Sequence, residues 1–149
     1  MNRRLARVLL GAGLAPILLG GCGGANSRYE WVVRHPLGCR LDEQRLVRDT
    51  LYFGRAIPAG REVGDADWQV FEREVLAPAL PSGYTVIDGR GHWRGSDGVL
   101  RAEASRIVIA VHADDAATQQ RLRAVIADYR QRFAQESVLQ ERGAVCVTF

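Results

Sequence analysis

Aspartate, arginine and histidine alternate along one short segment, Asp88-Gly89-Arg90-Gly91-His92, and Glu103 and Ser105 follow beyond a glycine-rich turn. If both segments are extended, alternation puts Asp88, Arg90 and His92 on one side of their strand, about 6–7 Å apart. A carboxylate, a guanidinium and an imidazole so arranged can converge on a small polar ligand, with Glu103 and Ser105 contributing from the return strand. Arg90 and Glu103 can equally form a plain cross-strand ion pair, and solvated pairs of that kind contribute little. Asp88, His92 and Glu103 also have donor types that suit a metal, but they lack a diagnostic ligand spacing, and His35 and His112 lie elsewhere. No metal is expected on that basis.

Other chemistries are excluded by residue type or spacing. All twenty basic residues are arginine, so no lysine is available for Schiff-base chemistry or a P-loop. Arg94 stands where a nucleophile elbow around Ser96 would need its first glycine, and no His-Glu-x-x-His zinc sequence occurs. The Gly89-Arg90-Gly91 pair leads into a hairpin where a dinucleotide loop requires a helix, so its glycines read as packing or bulge positions. No cofactor is expected. Trp31, Trp68 and Trp93 read as core anchors, and the arginines of the second helix, interleaved with Asp128 and Glu136, as a solvated face.

The amino terminus carries an address. Arg3, Arg4 and Arg7 precede an apolar stretch over 8–19 and then Leu19-Gly20-Gly21-Cys22, the order of an export signal. The stretch is shorter than the roughly 20 residues that span a bilayer. A cysteine directly after the small residues resembles the bacterial lipobox, so cleavage before Cys22 and lipidation of its thiol are expected. Several acyl chains, at about 0.8 kcal/mol per buried methylene, anchor a protein durably. Gly23 in place of aspartate after the lipidated cysteine favours the outer membrane, facing the periplasm, by resemblance to enterobacterial sorting.

Removal of residues 1–21 takes three arginines and no acids from a balance of 20 basic to 17 acidic, leaving 17 of each. A neutral mature domain lacks the field of a nucleic-acid binder, and no nucleic-acid partner is expected. The two remaining cysteines, Cys39 and Cys146, would lie in a compartment that permits disulfides and form an even pair, which predicts one bridge.

Residues 22–28 read as a tether, 29–48 as an irregular or partly helical lead-in, and 49–149 as one domain. Alternation predicts a first strand over 50–57. A helix follows, capped by Gly64 or Asp65, carrying Trp68, Phe71 and Val75 on one face and stopped by Pro78. A hairpin is predicted from strands over 84–94 and 99–113. The next helix, capped by Asp114, carries Leu122, Ile126, Tyr129 and Phe133 as one stripe. A last strand, interrupted near Gly143, ends the chain. This βαββαβ order predicts a ferredoxin-like α+β domain: a four-stranded antiparallel sheet in the order four, one, three, two, with two helices on one face. The last strand then pairs with the first, bringing Cys146 near Cys39. Apolar residues on both parities of the third strand predict a covered second face, filled by residues 29–49 or by a second copy in a homodimer.

Five blocks are informative together: Asp49-Thr50-Leu51-Tyr52-Phe53-Gly54-Arg55, Asp65-Ala66-Asp67-Trp68, Asp88-Gly89-Arg90-Gly91-His92-Trp93-Arg94, Gln135-Glu136-Ser137-Val138-Leu139 and Cys146-Val147-Thr148-Phe149. Over residues 49–149 the chain resembles the bacterial family known only as domain of unknown function thirty-five seventy-four, found largely in exported proteins and lipoproteins. The resemblance implies no activity, substrate or catalytic residue. The family usually has serine at Gly64 and glutamine at His92, which argues against an essential catalytic role for His92. The expected function is therefore a lipid-anchored envelope protein, attached through Cys22, whose domain is a binding or accessory module without catalysis. The alternative is a small-molecule enzyme of the dimeric α+β barrel kind, with a pocket on the second sheet face near Tyr52, His92 and Glu103.

Overall fold

Four long antiparallel strands and two helical segments form the body of the described residues, 38–149, of this computed structural model. The expected signal segment, Cys22, the expected tether and the expected lead-in up to residue 37 lie outside them. Strand β1 (Gln44–Gly54) is central, and β2 (Thr85–Arg94), β3 (Leu100–His112) and β4 (Leu139–Val147) complete a sheet in the order β2-β3-β1-β4. This is the ferredoxin-like order expected from the sequence. Among the described residues no helix is long and apolar enough to cross a membrane.

β1 begins at Gln44, six residues before the strand expected from alternation, so the end of the predicted lead-in belongs to the sheet. The apolar pattern fails there because Asp49 occupies an inward position between Val47 and Leu51, and it is fully buried. Its carboxylate accepts from His112 Nε2 (2.8 Å) and Gln119 Nε2 (3.1 Å) on one oxygen and from Gln140 Nε2 (2.6 Å) on the other. A buried carboxylate persists only when so satisfied, and this one joins β1, β3, β4 and the second helix. Beyond Gly54 the chain turns, and Ala56–Ile57 pairs with Arg61–Glu62 in a separate two-stranded ladder.

Helix α1 (Asp65–Phe71) starts at Gly64, whose N–H donates to Asp67 at 3.4 Å. Pro78 does not stop it at Ala77. A π-helical turn over Glu72–Leu76 lets Ala77 N–H reach Glu72 O five residues back, and the helical path continues through Ala77–Ala79. The wider turn accommodates a proline that has no N–H to give and would crowd an ordinary turn. Helix α2 (Ala116–Arg132) is capped by Asp115, not Asp114: the Asp115 carboxylate accepts from Thr118 N–H (2.7 Å) and Oγ1 (2.8 Å), while Asp114 pairs with Arg142. β4 runs unbroken through Gly143, opposite Arg48.

Leu51, Phe53, Val108 and Ala110 of the sheet pack with Trp68, Phe71, Leu76, Leu122, Val125 and Tyr129, so both helices cover one face. Phe53 is the hub, with ring centroids 4.7 Å from Tyr129, 5.5 Å from Trp68 and 5.8 Å from Phe71, all edge to face. Full burial of such a ring contributes about 1.5–3 kcal/mol. Tyr129 donates to Gly54 O at 2.9 Å, tying α2 to the end of β1. Cys39 and Cys146 form the expected disulfide, 107 residues apart, pinning the chain before β1 to the end of β4.

Candidate functional site

The hairpin register separates the residues that the sequence suggested would converge. Gly91 pairs with Glu103 and Gly89 with Ser105, while Asp88 pairs with Arg106, Arg90 with Ala104 and His92 with Ala102. Asp88, Arg90 and His92 therefore share the parity of the helix-covered face, and Glu103 and Ser105 that of the other. The Arg90–Glu103 ion pair does not form, and the three candidate metal donors do not come together. Each strand was read with the correct alternation, but the phase between them is set by the turn from Gly95 to Val99.

Asp88 has a structural role. Arg106 bridges it to Asp65, whose Oδ1 lies 2.6 Å from Arg106 Nη2 and 3.0 Å from Arg55 Nη2. This joins the start of α1 to β2 and β3 at the surface. Arg90 and His92 are exposed. The nearest approach to a metal-donor cluster among the described residues is Cys39, Glu43 and Cys146, and its two sulfurs are already bonded to each other.

Tyr52, Glu103 and Ser105, on the second-face parity, border a cavity of about 660 Å³ beyond the end of β1. The hairpin continues past Gly54, where β1 stops pairing, and forms one wall through Trp93 and Arg101. Gln135 and Leu139, in the segment from α2 to β4, form another. His92, although on the helix-covered parity, borders the same space, so Tyr52, His92 and Glu103 are all at its lining. The tip is closed by Ser96 N–H donating to Glu136 at 3.0 Å, and Gln135 Nε2 donates to Ala56 O at 2.6 Å.

Glu103 is the most constrained group there. Its carboxylate lies over Gly54, where an added methyl would stand 2.7 Å from Oε1 and 2.9 Å from Oε2. Burial pushes its carboxyl up from the ordinary range, and an N–H from Ala56 partly opposes the shift. Tyr52 Oη donates to Glu141 at 2.8 Å; that bond is the main reason its phenol is held above the usual range, so it stays a neutral hydroxyl at physiological pH. Arg101 is occupied by Asp97, at 2.9 Å and 2.6 Å, and the guanidinium lowers the Asp97 carboxyl to about 2. Gly91 faces open space opposite Glu103, whereas Gly89 is needed because a methyl there would meet Ser105 Oγ at 2.8 Å and Ile107 Cδ1 at 2.9 Å.

Trp93, read as a core anchor, is 39% exposed and lines the cavity, unlike Trp68 in the core. Gln135 and Leu139 were not singled out as site residues. Their signal was membership of the block Gln135-Glu136-Ser137-Val138-Leu139, of which only Val138 and Leu139 were accounted for, as the start of the last strand. On the rest of the second face, Ile107, Ile109 and Val111 are half-buried and Ile87 is 45% exposed.

No curated protein matches this chain. Among solved structures, a phage SAM lyase in complex with S-methyl-5'-thioadenosine is similar in fold, with a TM-score of 0.55 at 16% identity, over 70% of this chain and 90% of that one. The phage SAM lyase in its apo state gives 0.51 at 16% identity, over 69% and 89%. These likenesses concern the fold. The family model described as protein of unknown function, DUF3574, matches residues 48–149, from within β1 through the cavity-forming segments to the last residue, and the chain belongs to that family.

Proposed function

We propose that this chain is exported, cut before Cys22 and lipid-anchored in the cell envelope, at the outer membrane facing the periplasm, where its domain binds a small organic molecule. Residues 1–21 are the signal, 22–28 the tether and 29–43 the connection into β1, which takes up the last residues of the expected lead-in. The observation that carries the binding reading is the cavity of about 660 Å³ with Glu103 and Tyr52 at its lining. Its size falls within the roughly 300–1,000 Å³ of small-molecule sites. The disulfide between Cys39 and Cys146 supports an oxidising compartment.

The binding reading is tested with the mature chain in detergent, by following tryptophan emission and melting temperature against a metabolite library. Ligands should raise the melting temperature, and filling the cavity with Gly91→Trp should abolish the rise; hits that survive Gly91→Trp would refute the site. For the anchor, Cys22→Ala should remain unprocessed and lose its lipid mass. A fully processed Cys22→Ala chain would refute the lipid reading.

A second reading is that the pocket turns its ligand over. It is favoured by the fold likeness to a phage SAM lyase. Incubation with S-adenosylmethionine should then break the bond from sulfur to the amino-acid chain, the sulfur keeping the electron pair as S-methyl-5'-thioadenosine while the substrate's own carboxylate oxygen closes on that carbon as a lactone, and no release above a Glu103→Gln control would count against it. In a homodimer, the second copy would cover the half-buried apolar second face; sedimentation of the mature chain as a monomer would exclude that arrangement.

A further inference from the structure

Resting on the small-molecule reading above, the geometry points to a ligand of one charge class: we infer that the cavity binds a small organic cation, with Glu103 as its counter-charge and Tyr52 and Trp93 as aromatic neighbours. Among the described residues the lining supplies carboxylates without a free guanidinium, and His92 is its other basic side chain. Glu103 faces it with only the Ala56 N–H as a partner, and no arginine pairs with Glu103 among the described residues. Arg101, the arginine on the lining, has its two Nη atoms on Asp97. Glu136 adds a second carboxylate at the rim, held by Ser96 N–H, and Glu141 stands behind Tyr52.

An anionic ligand would meet these carboxylates with no free guanidinium among the described residues of the lining to offset them. A neutral ligand would further desolvate Glu103 without compensation, a cost that a cation removes. Aromatic rings on the same lining as the carboxylate add the attraction of a π face for a diffuse positive charge. The carboxylate is also positioned in advance, because Gly54 lets it lie against the backbone at the end of β1 and Ala56 N–H holds it there. A sulfonium or quaternary ammonium group on an apolar or aromatic body fits these features: it carries charge, needs no hydrogen-bond acceptor network and can press on a ring.

The test uses the mature chain in detergent and two probe pairs that differ chiefly in charge. S-Adenosylmethionine is compared with S-adenosylhomocysteine, which keeps the zwitterionic amino-acid end but lacks the sulfonium charge, and choline with its uncharged tert-butyl isostere, by titration calorimetry. In at least one pair the charged member should bind about tenfold more tightly or better. Glu103→Gln should bring that ratio below about threefold while leaving the neutral member within about twofold. Trp93→Leu, at an exposed position where folding is not at stake, should weaken the cation about two- to fivefold. Equal affinity within both pairs, or an unchanged ratio in Glu103→Gln and unchanged cation affinity in Trp93→Leu, overturns the charge assignment and leaves the small-molecule reading standing. Failure of all four probes to bind overturns the assignment, and the small-molecule reading then stands or falls on the library screen and Gly91→Trp.

Discussion

Replacement of Asp49 by alanine should be among the most damaging changes in the domain. The side chain is fully buried, and its two oxygens receive three side-chain donors, from His112, Gln119 and Gln140. His112 is itself 7% exposed, and its other ring nitrogen is held by Ala113 O at 2.7 Å, so its Nε2 cannot turn to water without breaking that bond. Each buried donor left unpaired costs about 1–3 kcal/mol. The half-buried Gln119 and Gln140 can recover part of this from solvent, so the expected loss for Asp49→Ala is about 3–5 kcal/mol. Asp49→Asn keeps the shape but offers one carbonyl and one amide where three donors arrive, leaving at least one donor facing another, a loss of about 1–3 kcal/mol. For a domain of this size the alanine change corresponds to a melting temperature lower by roughly 12–20 °C. Denaturant unfolding followed by circular dichroism, with an unchanged m value, checks it. A loss under about 1 kcal/mol for Asp49→Ala would refute the idea that this carboxylate joins the four elements.

The Cys39–Cys146 bridge closes a loop of 107 residues, so its removal by paired Cys→Ser substitution should cost about 2–4 kcal/mol by chemical denaturation, and an unchanged midpoint would contradict that. Gly54→Ala puts a methyl 2.7 Å from the flexible end of Glu103, so the carboxylate should swing into the cavity at little cost in stability. Ligand affinity should fall at least about tenfold if the resting position of Glu103 matters; retained affinity with a normal melting temperature would show that it does not. Asp115, whose carboxyl is lowered chiefly by Thr118 N–H, contributes stability above the ordinary carboxylate range and loses it as pH falls through its own lower value. The melting-temperature gap between native chain and Asp115→Ala should accordingly be full at neutral pH and close on acidification, and a gap independent of pH would contradict the cap. Asp88→Ala removes only an exposed ion pair to Arg106 and should change stability by less than about 1 kcal/mol.

Alternation within strands and the α2 stripe were visible in the sequence because burial imposes a period on residues adjacent in the chain. The order of elements and the ferredoxin-like sheet order followed from such local patterns and from the short connections between them, whereas the family came from the resemblance of five sequence blocks and the pairing of Cys39 with Cys146 from the even pair expected in an exported domain. The extent of β1 did not, because its inward Asp49 looks like a strand breaker until partners 63, 70 and 91 residues away are in place. The path of α1 through Pro78 likewise depended on a π turn that no local preference announces.

For the site, the sequence by itself determined which residue types were present on the hairpin and which of them alternated. Only the tertiary structure decided which of them meet. Within a strand the side-chain direction follows from position, but between strands it depends on a register set by the Gly95–Val99 turn, and one residue of slip moves every side chain to the opposite face. That register sends Glu103 away from Asp88 and Arg90 and towards Tyr52. The cavity exists because the hairpin outruns β1 beyond Gly54 and the segment after α2 crosses the gap, a relation among distant segments that no local pattern contains.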